Sequence, residues 1–249
     1  MMPIFHPAPD TPPEILALAA SYGFTPRPAP PPDGLYLTAD GGGISLCRRG
    51  EKGRVMADFA GGAAQYRRLK GGGELIAKAV NYGSRPLVAD ATGGLGRDAF
   101  VLAAHGLEVL LIERHPAVAC LLADGLRRAL NDPSAAQAAA RIRLCRGDAV
   151  RILPELAALR RPEVVYLDPM YPERRKSAAV KKEMAYFHEL VGDALPDDDA
   201  ALLAAARAAA LRRVVVKRPR SGGFLAQCAP AYQYCGKTTR FDVYHPVTA

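Results

Sequence analysis

Glycines and acidic residues that could hold a nucleotide follow the first apolar strand predicted after residue 73. The run is Asp90-Ala91-Thr92-Gly93-Gly94-Leu95-Gly96-Arg97-Asp98. Glycines between a strand and a helix let the backbone approach a ligand closely, and the helix N-terminus adds unpaired N–H groups with a partial positive charge. Gly94-x-Gly96-x-x-Ala99 also fits the dinucleotide fingerprint. We predict cofactor contacts at Asp90, Gly93, Gly94 and Gly96, with a simple tight turn as the alternative.

Acidic residues also end the next two predicted strands. Glu113 stands 20 residues after Gly93, the distance typical of an acid that binds ribose hydroxyls, and Arg114 beside it could cover an adenine ring. Asp148 and Ala149 follow the third strand, where the carboxylate could accept a hydrogen bond from an adenine amine. The alternatives are a solvated strand end for Glu113 and a helix N-cap for Asp148, and an N-cap is compatible with binding.

The fourth strand ends in Asp168-Pro169-Met170-Tyr171-Pro172, a turn that suits chemistry on a planar amine. The lone pair of an exocyclic amine is conjugated with its ring, so the nitrogen is a poor nucleophile. A carboxylate and a backbone carbonyl could accept its two hydrogens, and an aromatic ring could stack on an extruded base. We therefore predict Asp168, Pro169 and Tyr171 as catalytic residues. An ordinary Asp-Pro loop is the alternative.

Cations are concentrated next to this turn. The net charge of the chain is +8 and its pI is near 9.4, a balance that favours polyanionic partners. Five cations lie between residues 174 and 182, and two more end a later strand. The predicted RNA-binding residues are Arg174, Arg175, Lys176, Lys181, Lys182, Lys217 and Arg218. A solvated helix face is the alternative for the first five.

Alternating helices and strands must position these residues. Short apolar strands are predicted at 85–91, 107–113, 141–148, 162–169 and 212–219, with helices between them. This alternation predicts an α/β fold with a mostly parallel, Rossmann-like sheet, which places ligands at the carboxyl ends of its strands. The sequence of residues 232–245 predicts a terminal pair of strands, which adds an antiparallel strand near the C-terminus.

The first 73 residues do not show this alternation of helices and strands. A helix is predicted to end at Gly23, followed by a Pro-rich linker at 26–34 and three short strands at 34–40, 44–49 and 55–60. We therefore predict two regions. A small α+β region covers residues 1–73 and a catalytic α/β domain covers residues 74–249.

Composition excludes several other classes of protein. Hydrophobic residues make up 49% and charged residues 23% of the chain, which is typical of globular proteins and excludes disordered or collagen-like chains. No run approaches 18 apolar residues and no signal peptide is visible, so we expect a cytoplasmic protein without a membrane span. The five cysteines form no C-x-x-C pair and the five histidines show no metal-ligand spacing, so no metal is expected.

These motifs together resemble the ribosomal RNA small subunit methyltransferase J family. The resemblance rests on DATGGLGRDAFVLA, the strand-end pair ER, VVYLDPMYP, KSAAVKKEM, RVVVKRP and RFDVY, and it covers roughly residues 71–245. It implies a class I methyltransferase domain that uses S-adenosylmethionine (SAM) to methylate N2 of a guanine in 16S ribosomal RNA. It also implies cofactor contacts at Arg97, Asp98, Glu113, Arg114, Asp148, Ala149 and Asp168. The usual first glycine of the class I motif is Thr92 here, a departure from the pattern.

The expected function is methylation of ribosomal RNA, with 16S RNA or the small subunit as partner and a monomer as the expected state. Three alternatives remain. The same Asp-Pro-x-Tyr turn occurs in amine methyltransferases that act on DNA or protein. The glycine fingerprint alone would fit a dinucleotide-dependent oxidoreductase. A non-catalytic RNA-binding protein could also keep this fold.

Overall fold

The N-terminal residues form a small three-stranded sheet with one helix. The structure is a computed structural model that describes residues 2–61, 74–169, 185–187, 189–192 and 196–247. The first elements are β1 (Ile4–Phe5), α1 (Pro13–Ser21), β2 (Leu35–Asp40) and β3 (Gly43–Arg48). β1 pairs with β2 in parallel and β2 pairs with β3 antiparallel. Gly23 follows α1 with a φ of 88°, so the predicted end of this helix is confirmed.

The third N-terminal strand, predicted at 55–60, is not formed. Only Val55 pairs, through a single bridge to β3. The Asp58 carboxylate accepts hydrogen bonds from the N–H groups two and three residues later, which bends the chain. Phe59 turns into the core, where its ring stacks on Phe100 with centroids 4.8 Å apart. The prediction of a strand is therefore wrong, because a local side-chain turn outweighs strand propensity here.

Seven strands form the central sheet. They are β4 (Val88–Asp90), β5 (Val109–Glu113), β6 (Ile142–Arg146), β7 (Val164–Leu167), β8 (Arg213–Pro219), β9 (Tyr232–Cys235) and β10 (Thr239–Tyr244). Their spatial order is β6-β5-β4-β7-β8-β10-β9. β4 to β8 are parallel and β10 is antiparallel to both neighbours, so the predicted α/β fold is confirmed. The order reverses at β4, and such a switch point opens the crevice in which ligands bind.

Helices cover both faces of this sheet. They are α2 (Glu74–Val80), α3 (Arg97–Ala104), α4 (Pro116–Leu130), α5 (Ala136–Ala139), α6 (Ala149–Arg160) and α7 (Pro196–Ala209). Because side chains alternate along a strand, β8 sends Val215 to one apolar cluster and Val214 and Val216 to the other. Strands buried on both faces need continuous apolar runs, which explains their composition. Among the described helices, none has the length and apolar character needed to cross a membrane.

The N-terminal region packs on the face of the sheet that carries α4. Phe5 and Ile44 belong to the same apolar cluster as Val215 of the central sheet. The close packing requires Gly125 of α4, because a Cβ there would lie 2.5 Å from the carbonyl oxygen of Ala57. The boundary predicted between residues 73 and 74 lies at the edge of a range outside the described residues, and it stays a prediction.

A buried aspartate fastens α4 to the N-terminal sheet. The side chain of Asp124 is fully buried, and its Oδ2 accepts the N–H of Ile44 at 2.9 Å. The guanidinium groups of Arg127 and Arg128 pair with its two oxygens, both at 2.9 Å. One carboxylate therefore satisfies a buried backbone donor and is itself compensated by two cations.

Replacing Asp124 with alanine should lower the free energy of unfolding by about 3 kcal/mol, because the substitution leaves a buried N–H and two arginines without their acceptor. Both arginines keep contact with water, so we expect the lower end of the range for broken buried ion pairs. Urea unfolding measures the change. Asp33→Ala, at an exposed loop position, is the control, and an equal loss in both variants would contradict this account.

Candidate active site

A glycine-rich loop connects β4 to α3 at the switch point of the sheet. Gly94 and Gly96 have φ values of 52° and 71°, in the left-handed region that favours glycine. Gly93 lies against β5, and a Cβ there would come within 2.9 Å of the carbonyl oxygen of Ile112. Gly96 is the N-cap of α3, so the loop ends at the N-terminus of a helix. The path of the backbone therefore requires all three predicted glycines.

Glu113 at the end of β5 holds this loop in place. Its Oε2 accepts the N–H of Gly94 at 2.8 Å, and its Oε1 accepts the N–H of His115 at 2.7 Å. Burial raises the pKa of Glu113, although these two hydrogen bonds oppose the rise. Each carboxylate oxygen still has a lone pair for a further donor, such as a hydroxyl group. Arg114 is exposed and follows Glu113 directly in the chain. Arg97 is also exposed and is the first residue of α3.

Asp148 and Ala149 lie where β6 passes into α6. The Oδ1 of Asp148 accepts the N–H of Val150 at 2.8 Å, so this residue is a helix N-cap. The structure therefore bears out the capping alternative. The side chain of Asp148 is exposed and Ala149 is buried, so capping does not close this corner of the crevice to a ligand.

Two aspartates share one lysine where β7 and β8 end and α3 begins. The ammonium group of Lys217 donates to Asp98 Oδ2 at 2.7 Å and to Asp168 Oδ2 at 2.8 Å. The hydroxyl group of Tyr166, on β7, donates to the same Asp98 oxygen at 2.7 Å. Burial alone would lower the pKa of Lys217, but the two carboxylates outweigh it and raise this pKa above its ordinary value. Lys217 is therefore a fixed cation of the site.

Thr92 links the glycine loop to the turn after β7. Its hydroxyl oxygen accepts the N–H of Asp168 at 2.6 Å, and its own N–H donates to Asp90 Oδ1 at 3.1 Å. A glycine, the usual residue of the motif, has no hydroxyl group to make the first of these bonds. The departure at Thr92 thus ties the ends of two neighbouring strands together.

Burial changes the protonation of the carboxyl groups in this cluster. Asp90 is 2% exposed, and burial raises its pKa from 3.8 to about 8, with the charges of Asp98 and Asp168 adding to the rise. Burial also raises the pKa of Asp168, while Lys217 lowers it. At neutral pH Asp90 therefore keeps its proton, whereas Asp98 and Asp168 both pair with the ammonium group of Lys217.

Some of the predicted site residues come together in the structure, and others lie outside the described residues. The loop glycines, Asp90, Asp98, Glu113 and Asp168 converge at the switch point, with Pro169 buried directly after Asp168. The residues that lie outside the described part of the chain are Tyr171, Arg174, Arg175, Lys176, Lys181 and Lys182. Across the described ranges, no group of three or more His, Cys, Asp and Glu side chains is arranged to hold a metal ion.

Lys217 and Arg218, which are predicted to bind RNA, do not form an exposed basic surface in the structure. Lys217 is engaged by the two aspartates. Arg218 is 5% exposed, and its Nε donates to the carbonyl oxygen of Gly223 at 3.2 Å. Successive side chains of a strand point to opposite faces, so the pair cannot present both cations to one surface. Whether either residue contacts RNA stays a prediction.

The motifs do not identify Tyr166 and Thr92 as site residues, although each carries a signal. A tyrosine in an otherwise aliphatic strand brings a hydroxyl group into the core, where it needs a partner. A threonine at a glycine position brings a hydrogen-bonding group to a loop that normally has none. Lys217 stands near the carboxyl end of a parallel strand, so it is expected at the same edge of the sheet as Asp168.

The fold and this site together define a methyltransferase that depends on SAM. The family model described as "Putative SAM-dependent methyltransferase" matches residues 24–246. The crystal structure of a SAM-dependent methyltransferase from Neisseria gonorrhoeae aligns with a TM-score of 0.85 at 52% sequence identity, covering 98% of this chain and 96% of that one. A dinucleotide-dependent oxidoreductase is therefore not favoured.

Relatives with a more specific name are similar over nearly the whole chain. The ribosomal RNA small subunit methyltransferase J of Neisseria meningitidis serogroup C is 60% identical over 233 residues, which cover 93% of this chain and 92% of the relative. The protein of that name from Laribacter hongkongensis is 47% identical over 255 residues, covering 99% of this chain and 89% of its own. The chain belongs to the ribosomal RNA small subunit methyltransferase J family, which confirms the resemblance seen in its motifs.

The raised pKa of Asp90 predicts a specific pH dependence of stability. Between pH 4 and 8 the folded protein keeps the Asp90 proton while the unfolded chain loses it, so this contribution is full at low pH and is lost as the pH rises to about 8. Asp90→Asn cannot titrate. The free energy of unfolding of the wild type minus that of the variant should therefore fall with pH, by up to about 1.4 kcal/mol per unit.

Urea unfolding of both proteins at several pH values measures this difference. Asp33→Asn is the matched control, because water surrounds that side chain in the folded and the unfolded chain. A difference between wild type and Asp90→Asn that does not change with pH would refute the buried, protonated state of Asp90.

Proposed function

We propose that this protein transfers a methyl group from SAM to the exocyclic N2 amine of a guanine in 16S ribosomal RNA. The names of its relatives support ribosomal RNA of the small subunit as the substrate, and they favour neither DNA nor protein. The family resemblance and the Asp-Pro turn support the guanine amine. The observation that carries the proposal is the carboxylate of Asp168, which is oriented by Lys217 and Thr92 at the carboxyl end of β7.

The residues around the glycine loop fit a nucleoside cofactor. The loop lets a ligand approach the backbone closely, because Gly93, Gly94 and Gly96 have no side chain. Glu113 retains acceptor capacity for ribose hydroxyls, and Asp148 stands at the next strand end for the adenine amine. We propose that Arg97, Asp98, Arg114 and Ala149 complete this cofactor site. When bound, SAM supplies an electrophilic methyl group on a sulfonium.

Asp168 would orient the amine and accept its proton. One oxygen, Oδ2, is held by Lys217, while Oδ1 has no hydrogen-bond partner among the described residues. Oδ1 is therefore available to accept an N–H of the target amine, which weakens conjugation of the nitrogen lone pair with the ring. As the new N–C bond forms, one N–H proton must leave, and the burial that raises the pKa of Asp168 makes its carboxylate a better base.

Thr92, Pro169 and Lys217 would act by fixing the position of this carboxylate. The Thr92 hydroxyl holds the Asp168 N–H, the proline ring restricts the turn, and the ammonium group keeps Asp168 ionised against the effect of burial. Positioning of this kind contributes much of the rate when the electrophile is already reactive. We propose that Tyr171 stacks on the extruded guanine.

The remaining predictions concern the substrate and its surroundings. We propose that Arg174, Arg175, Lys176, Lys181 and Lys182 bind phosphates of the RNA, and that residues 1–73 form a region that helps to select it. We also propose that the protein acts as a monomer in the cytoplasm, where ribosomal RNA is available and unpaired cysteines stay reduced.

Transfer of labelled methyl from SAM to 16S RNA and to small subunits that lack the modification tests the reaction. Nucleoside analysis should find the label in N2-methylguanosine. Label in another nucleoside would overturn the choice of base, and label in DNA or protein would overturn the choice of polymer. RNA binding without transfer to any of these substrates would support a non-catalytic role.

Asp168→Asn should lower kcat by about 100-fold or more, because the substitution removes the negative charge and the base while it keeps the shape of the side chain. A filter assay of labelled RNA measures kcat, and the melting temperature verifies that the variant is folded. Asp33→Asn serves as the comparison, since it makes the same change at an exposed aspartate outside the proposed site. Equal turnover by Asp168→Asn and the wild type would remove Asp168 from the mechanism.

A further inference from the structure

A cavity lies near the candidate active site, at the end of β8. Its volume is about 410 Å³, within the range of pockets that bind small molecules. The loop 220–224 after β8 forms one wall, and Gln233, Cys235 and Arg240 of β9 and β10 form the other. None of these residues belongs to the cofactor site or to the carboxylate cluster described above.

The topology of the sheet places this cavity at the edge formed by the carboxyl ends of the parallel strands, where Asp168 also lies. β7 and β8 run in parallel with Leu167 opposite Val216, so Asp168 follows β7 directly and Lys217 lies two residues before the end of β8. Arg220 lies three residues beyond Lys217, a distance of about 10 Å along an extended chain. β10 is antiparallel and begins with Thr239 opposite Pro219, so the turn that carries Lys237 reaches the same edge.

A buried arginine gives the loop a fixed shape. The guanidinium group of Arg240 donates to the carbonyl oxygens of Pro219 at 3.1 Å, Arg220 at 3.0 Å and Gly222 at 2.7 Å. Its charge is compensated by Asp242, which it contacts at 2.9 and 3.1 Å. A loop that is ordered before binding loses little conformational entropy when a ligand arrives.

The chemistry of the walls suits a nucleotide. Phe224 is 40% exposed, and the guanidinium carbon of Arg240 lies 5.2 Å from the centre of its ring. Arg220 is exposed, and within the described part of the chain its guanidinium group has no hydrogen-bond or ion-pair partner. Among the described residues that line the cavity, none has an acidic side chain. An accessible aromatic ring next to an unpaired cation is the arrangement that binds unstacked bases and their phosphates.

We propose that this cavity binds a nucleotide that flanks the methylated base in the RNA substrate. Phe224 stacks on the flanking base, and Arg220 pairs with a phosphate beside it. The proposal rests on the proposed function, because it assumes a single-stranded RNA that enters from the edge at which Asp168 lies. It assigns substrate selection in part to the C-terminal end of the fold, through residues that the sequence analysis does not predict as RNA-binding.

Variants of Phe224 test stacking. Phe224→Tyr keeps an aromatic face, whereas Phe224→Leu keeps apolar bulk but has no ring. With the full-length protein, Phe224→Leu should raise the KM and the Kd for 16S RNA about tenfold, and Phe224→Tyr should stay close to the wild type. The Kd for SAM and kcat at saturating RNA should not change, because the cavity is separate from the reacting atoms.

A variant of Arg220 tests the phosphate contact. Arg220→Ala should weaken RNA binding and reduce the slope of log Kd against log salt concentration by about 0.7, the value for one phosphate contact on a single strand. Arg212→Ala is the matched control, since this exposed arginine precedes the first residue of β8 and lies at the opposite edge of the sheet. It should change neither quantity.

The outcomes separate this proposal from the proposed function. If the wild type methylates RNA but both Phe224 variants lose affinity equally, or if Arg220→Ala behaves as Arg212→Ala, the cavity does not hold a flanking nucleotide. If the wild type neither binds nor methylates RNA, the proposed function fails and this inference fails with it. Melting temperatures verify folding. Should Phe224→Leu prove unfolded, the salt dependence of Arg220→Ala decides.

Discussion

The ammonium group of Lys217, shared between Asp98 and Asp168, is the interaction on which the candidate site depends. It joins the start of α3 to the ends of β7 and β8 with two bonds of 2.7 and 2.8 Å. Two carboxylates in a poorly solvated site repel each other and tend to take up protons. A single cation between them favours the ionised form of both, and it leaves Oδ1 of Asp168 without a hydrogen-bond partner among the described residues.

The backbone around this ion pair is positioned by side chains from neighbouring strands. Glu113 of β5 holds the glycine loop through the N–H of Gly94, and Thr92 of the loop holds the N–H of Asp168 after β7. The parallel sheet brings these strand ends together, and the hydrogen bonds then link one loop to the next. The proposed cofactor site and the proposed amine site therefore adjoin each other on one hydrogen-bonded framework.

Two further buried charges organise the surroundings of the sheet. Asp124 connects α4 to the N-terminal sheet, and Arg240 gathers the carbonyl groups of the loop after β8. Each is compensated by a partner of opposite charge and satisfies backbone groups that would otherwise be unpaired. In this family member, polar residues in the core thus fix the position of two segments beside the central sheet. These are the N-terminal sheet and the loop 220–224.

The sequence by itself determined the fold class and the family, and it indicated which residues end the strands. Apolar strands that alternate with helices, the glycines of the loop and the Asp-Pro turn are local patterns, and their physical requirements are also local. The tertiary structure decided which side chains meet. Lys217 lies 49 residues from Asp168, and its partners depend on strand register. The hydroxyl group of Thr92 needs the neighbouring β7 turn before it has a role. Residues 55–60 show the converse, because the turn made by Asp58 outweighs an apolar run that predicts a strand. For Lys217 and Thr92, contacts between distant segments set the outcome, and no local pattern encodes them.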